Sequence, residues 1–89
     1  MTLASAKAIY NQYGGHFFDR DTMRFFGSKI ESDLYSNRCF ITSENNFDGT
    51  KRYYNVRRFN SDYTDIETIG TFNTIKDKDT ARQIAKEVV

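Results

Sequence analysis

The chain has 89 residues, enough for one hydrophobic core but not two, since domains begin near ~50 residues; residues 1–89 are therefore read as a single domain. Its 38% apolar, 16% aromatic and 28% charged residues exclude intrinsic disorder. The balance of 13 basic and 12 acidic residues, a net charge of +1, argues against a whole-molecule nucleic-acid mimic and weakens a purely electrostatic nucleic-acid binder.

In chain order, Leu3, Ala6, Ile9, Tyr10 and Tyr13 follow the i, i+3, i+4, i+7 spacing of an amphipathic helix over Thr2–Tyr13, which Gly14-Gly15 ends. Asp19 or Asp21 then caps a short helical turn that stops at Gly27, with Phe17-Phe18 and Phe25-Phe26 on either side. Residues Ser28 to Tyr35 have weak periodicity and are left open between an edge strand and a loop. Arg38–Ser43 is rich in strand formers, and the cluster Glu44–Gly49 turns it into a partner strand over Arg52–Phe59. Asn60–Asp65 breaks the pattern again, and Ile66–Phe72 forms a third strand in which Gly70 marks a bulge or a close approach of another backbone. Asp77 and Asp79 offer N-caps to a last helix whose Ala81, Ile84, Ala85 and Val88 share one face. The expected fold is α+β: an N-terminal helix, a short helical turn, a three-stranded antiparallel meander and a C-terminal helix (α-β-β-β-α). Both helices are expected on one sheet face, with the other partly wet.

Eight Phe and six Tyr, with no Trp and two Met, make rings the main source of buried area. No apolar run approaches the ~20 residues of a membrane span, and the first twenty residues lack a signal-peptide pattern. A soluble protein of the cytoplasm is expected, and the single cysteine, Cys39, suits a reducing compartment.

The residues offer little to catalysis. One His and one Cys exclude a Cys/His zinc site, and the scattered glycines make neither a P-loop nor a dinucleotide fingerprint. Cys39 with His16 would make a nucleophile and base, but a cysteine inside a strand is more commonly an inert buried thiol, and His16 after Gly14-Gly15 suits helix-end capping. Asp19 and Asp21 would bind a hard cation only if they were not caps. No cofactor, metal or enzymatic activity is expected.

Lys51 to Phe59 is the informative segment: Lys51, Arg52, Arg57 and Arg58 interleave with Tyr53, Tyr54 and Phe59, and no acid lies between Gly49 and Ser61. Alternation puts Arg52, Tyr54, Val56 and Arg58 on one face and Tyr53, Asn55, Arg57 and Phe59 on the other. Such a strand suits protein hot spots or nucleic-acid stacking; the competing reading pairs its arginines across the sheet with Glu44, Glu67 or Asp65. Arg52, Tyr54, Arg57 and Arg58 are the candidate partner contacts, with Arg24 and Phe25 as a second patch. Adjacent rings in the Phe pairs cannot all face one core, which leaves part of one free for an interface.

The segments Asp21-Thr22-Met23-Arg24-Phe25-Phe26-Gly27-Ser28, Phe40-Ile41-Thr42-Ser43-Glu44, Arg52-Tyr53-Tyr54-Asn55-Val56-Arg57-Arg58-Phe59 and Ile69-Gly70-Thr71-Phe72 together resemble a family of small uncharacterised proteins encoded by phages and mobile elements of Gram-positive bacteria. The resemblance covers most of residues 14–89. It implies a phage accessory protein, and by analogy with anti-CRISPR proteins a non-enzymatic inhibitor of a bacterial type II CRISPR nuclease in the host cytoplasm, blocking DNA binding or activation. The expected state is a monomer or weak dimer, and nucleic acid is the alternative partner. The element order also resembles the double-stranded RNA-binding domain, but Lys76 and Lys78 alternate with Asp77 and Asp79 where that family carries a lysine cluster.

Overall fold

A computed structural model describes residues 1–88. Thr2 opens helix α1 (Leu3–Gln12), its hydroxyl accepting from the Ser5 amide at 3.2 Å. Leu3, Ala6 and Tyr10 form the buried stripe. Tyr13, expected to continue it, lies beyond the helix end and is largely exposed. The ring of Tyr10 lies on Gly15, where a Cβ would come within 2.2 Å of the ring carbons, so only glycine fits. The Tyr10 hydroxyl accepts from the Phe17 amide, closing the connection to α2 (Arg20–Phe25). Asp19 takes the N-cap position of α2 without capping it: its carboxylate lies 2.8 Å from His16 Nδ1 instead.

The sheet has four antiparallel strands in the order β1 (Lys29–Ile30), β2 (Cys39–Asn45), β3 (Arg52–Phe59), β4 (Ile66–Ile69). The expectation of three strands is corrected by β1, a two-residue edge that pairs Lys29 with Ser43 and Ile30 with Thr42. It stops because side chains take over the ladder's role: the Ser32 hydroxyl accepts from the Ile41 amide, and Asp33 Oδ1 accepts from the amides of Leu34 and Leu3. Ser28–Tyr35 is thus strand first and loop afterwards, and the loop is tied to the start of α1. β2 and β3 pair from Cys39 opposite Arg58 to Asn45 opposite Arg52. The side chains of Asn46 and Asn60 each accept two backbone N–H groups in the turns that follow β2 and β3.

β4 ends three residues earlier than expected. Gly70, at φ +76°, turns the chain away from the ladder, and Asn73, also left-handed at φ +58°, returns it so that Ile75 bridges to Tyr54 of β3. Asp77 then caps helix α3 (Lys78–Glu87), accepting from the Thr80 amide at 2.8 Å.

The helices occupy both faces of the sheet, which corrects the one-face arrangement. α3 lies on the face of Cys39, Ile41 and Val56, where Ala81 and Ala85 are fully buried and flanked by Ile84 and Val88. On the opposite face α1 and Phe18 close over Phe40 and Phe59. The reason is in β2, where all of Cys39 to Glu44 is buried and both alternating sets need cover. The second core is a stack of rings, with Phe18 over Phe40 and Phe59 at centroid distances of 5.8 and 6.4 Å and Tyr10 edge-on to Phe18 and Phe59.

Candidate protein-docking groove

α1 covers only one end of its sheet face. Beyond Phe40, the inward residues of β2 become Thr42 and Glu44, and those of β3 become Arg57 and Asn55. These polar residues are buried and bond to one another. Arg57 Nε donates to Thr42 Oγ1 (3.1 Å) and Nη1 to Thr68 Oγ1 (2.6 Å), while Nη2 lies 3.0 Å from Glu44 Oε2. Glu44 Oε1 accepts from Thr42 Oγ1 (3.0 Å) and Asn55 Nδ2 (2.7 Å). The returning Asn73 completes the network: its amide N–H donates to Asn55 Oδ1 and its side chain to the Asn45 carbonyl. Burial lowers the Arg57 pKa from the ordinary arginine value, and the Glu44 carboxylate opposes that shift.

Over this polar floor stand aromatic walls. The Arg57 guanidinium carbon lies 5.1 Å from the Phe17 ring centroid and 5.4 Å from that of Phe72, two cation–π contacts. Phe26 meets Phe72 at 5.3 Å and Phe25 edge-on at 4.7 Å. The result is a groove of about 690 Å³ whose lining includes Phe17, Phe25, Phe26, Phe72, Glu44 and Arg57. Phe25 is 77% exposed and Phe72 37%. A second groove on the far side of the Phe25-Phe26 pair is lined by Arg24 and by Phe47, which is 98% exposed. Exposed rings on this scale, next to charged groups already engaged, form the kind of surface that buries against another protein.

The residues singled out from sequence separate into two groups. Arg24 and Phe25 are both exposed: Phe25 stands at the wall between the two grooves, and Arg24 lines only the second. The basic strand does not present a free cationic face. Arg57 is buried on the groove floor in its pair with Glu44, and Arg58, on the other face, pairs with Glu67 and donates to the Val88 carbonyl at 3.0 Å. Arg52 Nη2 donates to the carbonyls of Gly27 (2.6 Å) and Ser43 (2.8 Å), pinning the end of α2 to the sheet. Tyr54 packs beside α3. The cross-strand pairing weighed against the contact reading is therefore the arrangement seen for Arg57 and Arg58, because β3 is a central strand with neighbours on both sides.

Phe26, Phe47 and Phe72 belong to the surface but were not singled out as contacts. Phe72 reaches the groove only because Gly70 and Asn73 reverse the chain, which periodicity does not register. Cys39 is fully buried on the α3 face and its pKa is raised by that burial, as befits an inert thiol. His16 is on the surface against Asp19, away from it. Among the described residues no group of three or more His, Cys, Asp or Glu side chains is placed to hold a metal ion, and no helix is long and apolar enough to cross a membrane.

The family model DUF7447, described as a family of unknown function, matches residues 2–86, which run from the cap of α1 into the last turn of α3. The chain belongs to this family. No curated protein and no solved structure matches it. The DUF7447 match takes in both helical layers, the whole sheet and every residue of the aromatic groove, so the groove is part of the family domain and not an appendage to it.

Proposed function

We propose that this protein is a non-enzymatic inhibitor that docks on a partner protein through the aromatic groove, and that the partner is a bacterial RNA-guided DNA nuclease of the type II CRISPR class, met in the host cytoplasm. The observation that carries the docking reading is the groove itself: Phe25, Phe26 and Phe72 walling a hollow whose floor charges neutralise each other. Aromatic anchors around a compensated polar centre are the usual composition of an interface hot spot. The choice of nuclease rests on the likeness to phage-encoded proteins. Occupying a surface needed for DNA entry or for activation would be sufficient for inhibition, and no catalytic group is required.

The test is to mix the protein with guide-loaded type II nuclease and follow co-elution on size exclusion, alongside the variant Phe25→Ala/Phe72→Ala. Co-elution and inhibited DNA cleavage that both disappear in the variant support the proposal; absence of co-elution by the folded wild-type protein rejects the nuclease as partner.

Nucleic-acid binding is the second reading, favoured by one observation: Lys51, Tyr53 and Lys76 line a shallow groove together with Arg52. It predicts a labelled-DNA mobility shift without nuclease that weakens steeply as salt rises.

A further inference from the structure

We propose that the groove's occupant is an aromatic side chain of the partner with a hydrogen-bond donor on its edge, tryptophan or tyrosine, and that Glu44 Oε2 receives the donor. This rests on the docking reading and adds the chemistry of the anchor.

The two carboxylate oxygens of Glu44 are treated unequally. Oε1 accepts from Thr42 and Asn55. Oε2 is fully buried and, among the described residues, no donor is directed at it in hydrogen-bonding geometry, although Arg57 Nη2 is near enough, at 3.0 Å, to attract it. A carboxylate oxygen has room for about two hydrogen bonds, and a buried one that lacks them is costly. Glu44 is a lining residue of the groove, so the unfilled acceptor belongs to the docking surface.

The charge balance says what kind of donor fits. Glu44 and Arg57 already cancel, so a lysine or a second arginine would bring an uncompensated charge into a buried place, whereas a neutral N–H or O–H would not. The walls select a ring: Phe17, Phe26 and Phe72 offer faces and edges to an aromatic guest, and rings prefer offset or edge-to-face partners. A nucleotide base also has donor edges, but its phosphate would find Asp21 in the lining and no cation there besides Arg57, which is engaged with Thr42, Thr68 and Glu44. Oε2 has no free surface while the groove is empty, so the guest's donor reaches it only as the rings beside the Arg57–Glu44 pair, Phe17 and Phe72, shift to admit the guest.

The protein contains no tryptophan, so the fluorescence of an indole probe is separable from its own. The experiment titrates indole, N-methylindole and guanosine monophosphate into the full chain, reading probe fluorescence and the backbone amide resonances of Glu44, Arg57 and Thr68. Indole should shift these resonances, and N-methylindole, which has the ring but no donor, should bind about tenfold more weakly or worse. Glu44→Leu/Arg57→Met, which removes the acceptor and leaves no buried charge unpaired, should abolish the preference between the two probes, and Phe72→Ala should weaken both alike. Equal binding of the two indoles to the wild-type groove would overturn the donor inference while leaving the groove as a docking site. Stronger groove shifts from guanosine monophosphate than from indole would overturn the protein anchor. If no probe moves these resonances, the inference fails; co-elution with the nuclease that still depends on Phe25 and Phe72 would then show that the docking reading survives it.

Discussion

Arg57 decides between two views of the basic strand, and replacing it with methionine separates them. In the structure its side chain is 10% exposed and that of Glu44 1%, so removing the guanidinium strands a carboxylate that solvent cannot reach. Breaking one partner of a buried pair costs about 3–5 kcal/mol, against a total stability of about 4–13 kcal/mol for a chain of this length. With a urea m-value of ~1.5 kcal/mol/M, a loss near the lower bound moves the unfolding midpoint by ~2 M. Circular dichroism during urea unfolding of Arg57→Met, Glu44→Leu and the double variant measures the pair. The double variant should recover much of the loss, because two apolar groups of similar size can replace a buried ion pair at little cost. An Arg57→Met variant within ~1 kcal/mol of wild type, with effects that simply add in the double variant, would refute the reasoning and return Arg57 to the list of free surface cations.

Gly15→Ala should destabilise the protein by ~1–3 kcal/mol, since its methyl must displace the Tyr10 ring that anchors α1; thermal unfolding by circular dichroism reads this directly. Phe59→Ala, which empties a site under Phe18, Phe40 and Tyr10, should cost about 3–5 kcal/mol in chemical unfolding, whereas Phe25→Ala should change stability by less than ~0.5 kcal/mol and instead weaken partner binding ~30-fold or more in a co-elution or calorimetric titration. Acid should destabilise the fold through groups whose folded pKa lies below the ordinary value: Glu31, held down first by the Ser43 hydroxyl and also by Lys78, and Asp33 and Asp77, held down by backbone N–H groups of Leu3 and Leu34 and of Thr80. Because each pKa is depressed on folding, the stabilisation is complete above the ordinary values of 4.5 and 3.8 and is lost as pH falls below them. Thermal midpoints measured across that range should drop on the acid side, and Asp33→Asn/Asp77→Asn should flatten the drop; an unchanged slope in the variant would remove these carboxylates from the account.

Local chemistry settled the elements. The stripes of α1 and α3, the cap at Asp77, and the turn clusters around Asn46 and Asn60 each act within a few residues, so the α+β order and the β2–β3 and β3–β4 pairings were legible from residue spacing, whereas which ring of the Phe25-Phe26 pair is exposed was decided only by packing. Everything that depends on two distant segments meeting was decided by the tertiary structure. The brief strand β1 exists because β2 offers it an edge; its own two residues carry no pattern. Cover on both sheet faces follows from the full burial of β2, which the mixed run Cys39–Glu44 does not announce. In sequence the arginines of β3 stand between a contact surface and pairing with Glu44, Glu67 or Asp65, and it is the register of a central strand that decides for pairing by bringing Glu44 to Arg57 and Glu67 to Arg58. The groove has the same origin. Phe17, Phe26 and Phe72 are 9 to 55 positions apart, and their rings share one hollow because the reversal at Gly70 and Asn73 swings Phe72 over the sheet, an act of backbone geometry that residue type alone does not specify.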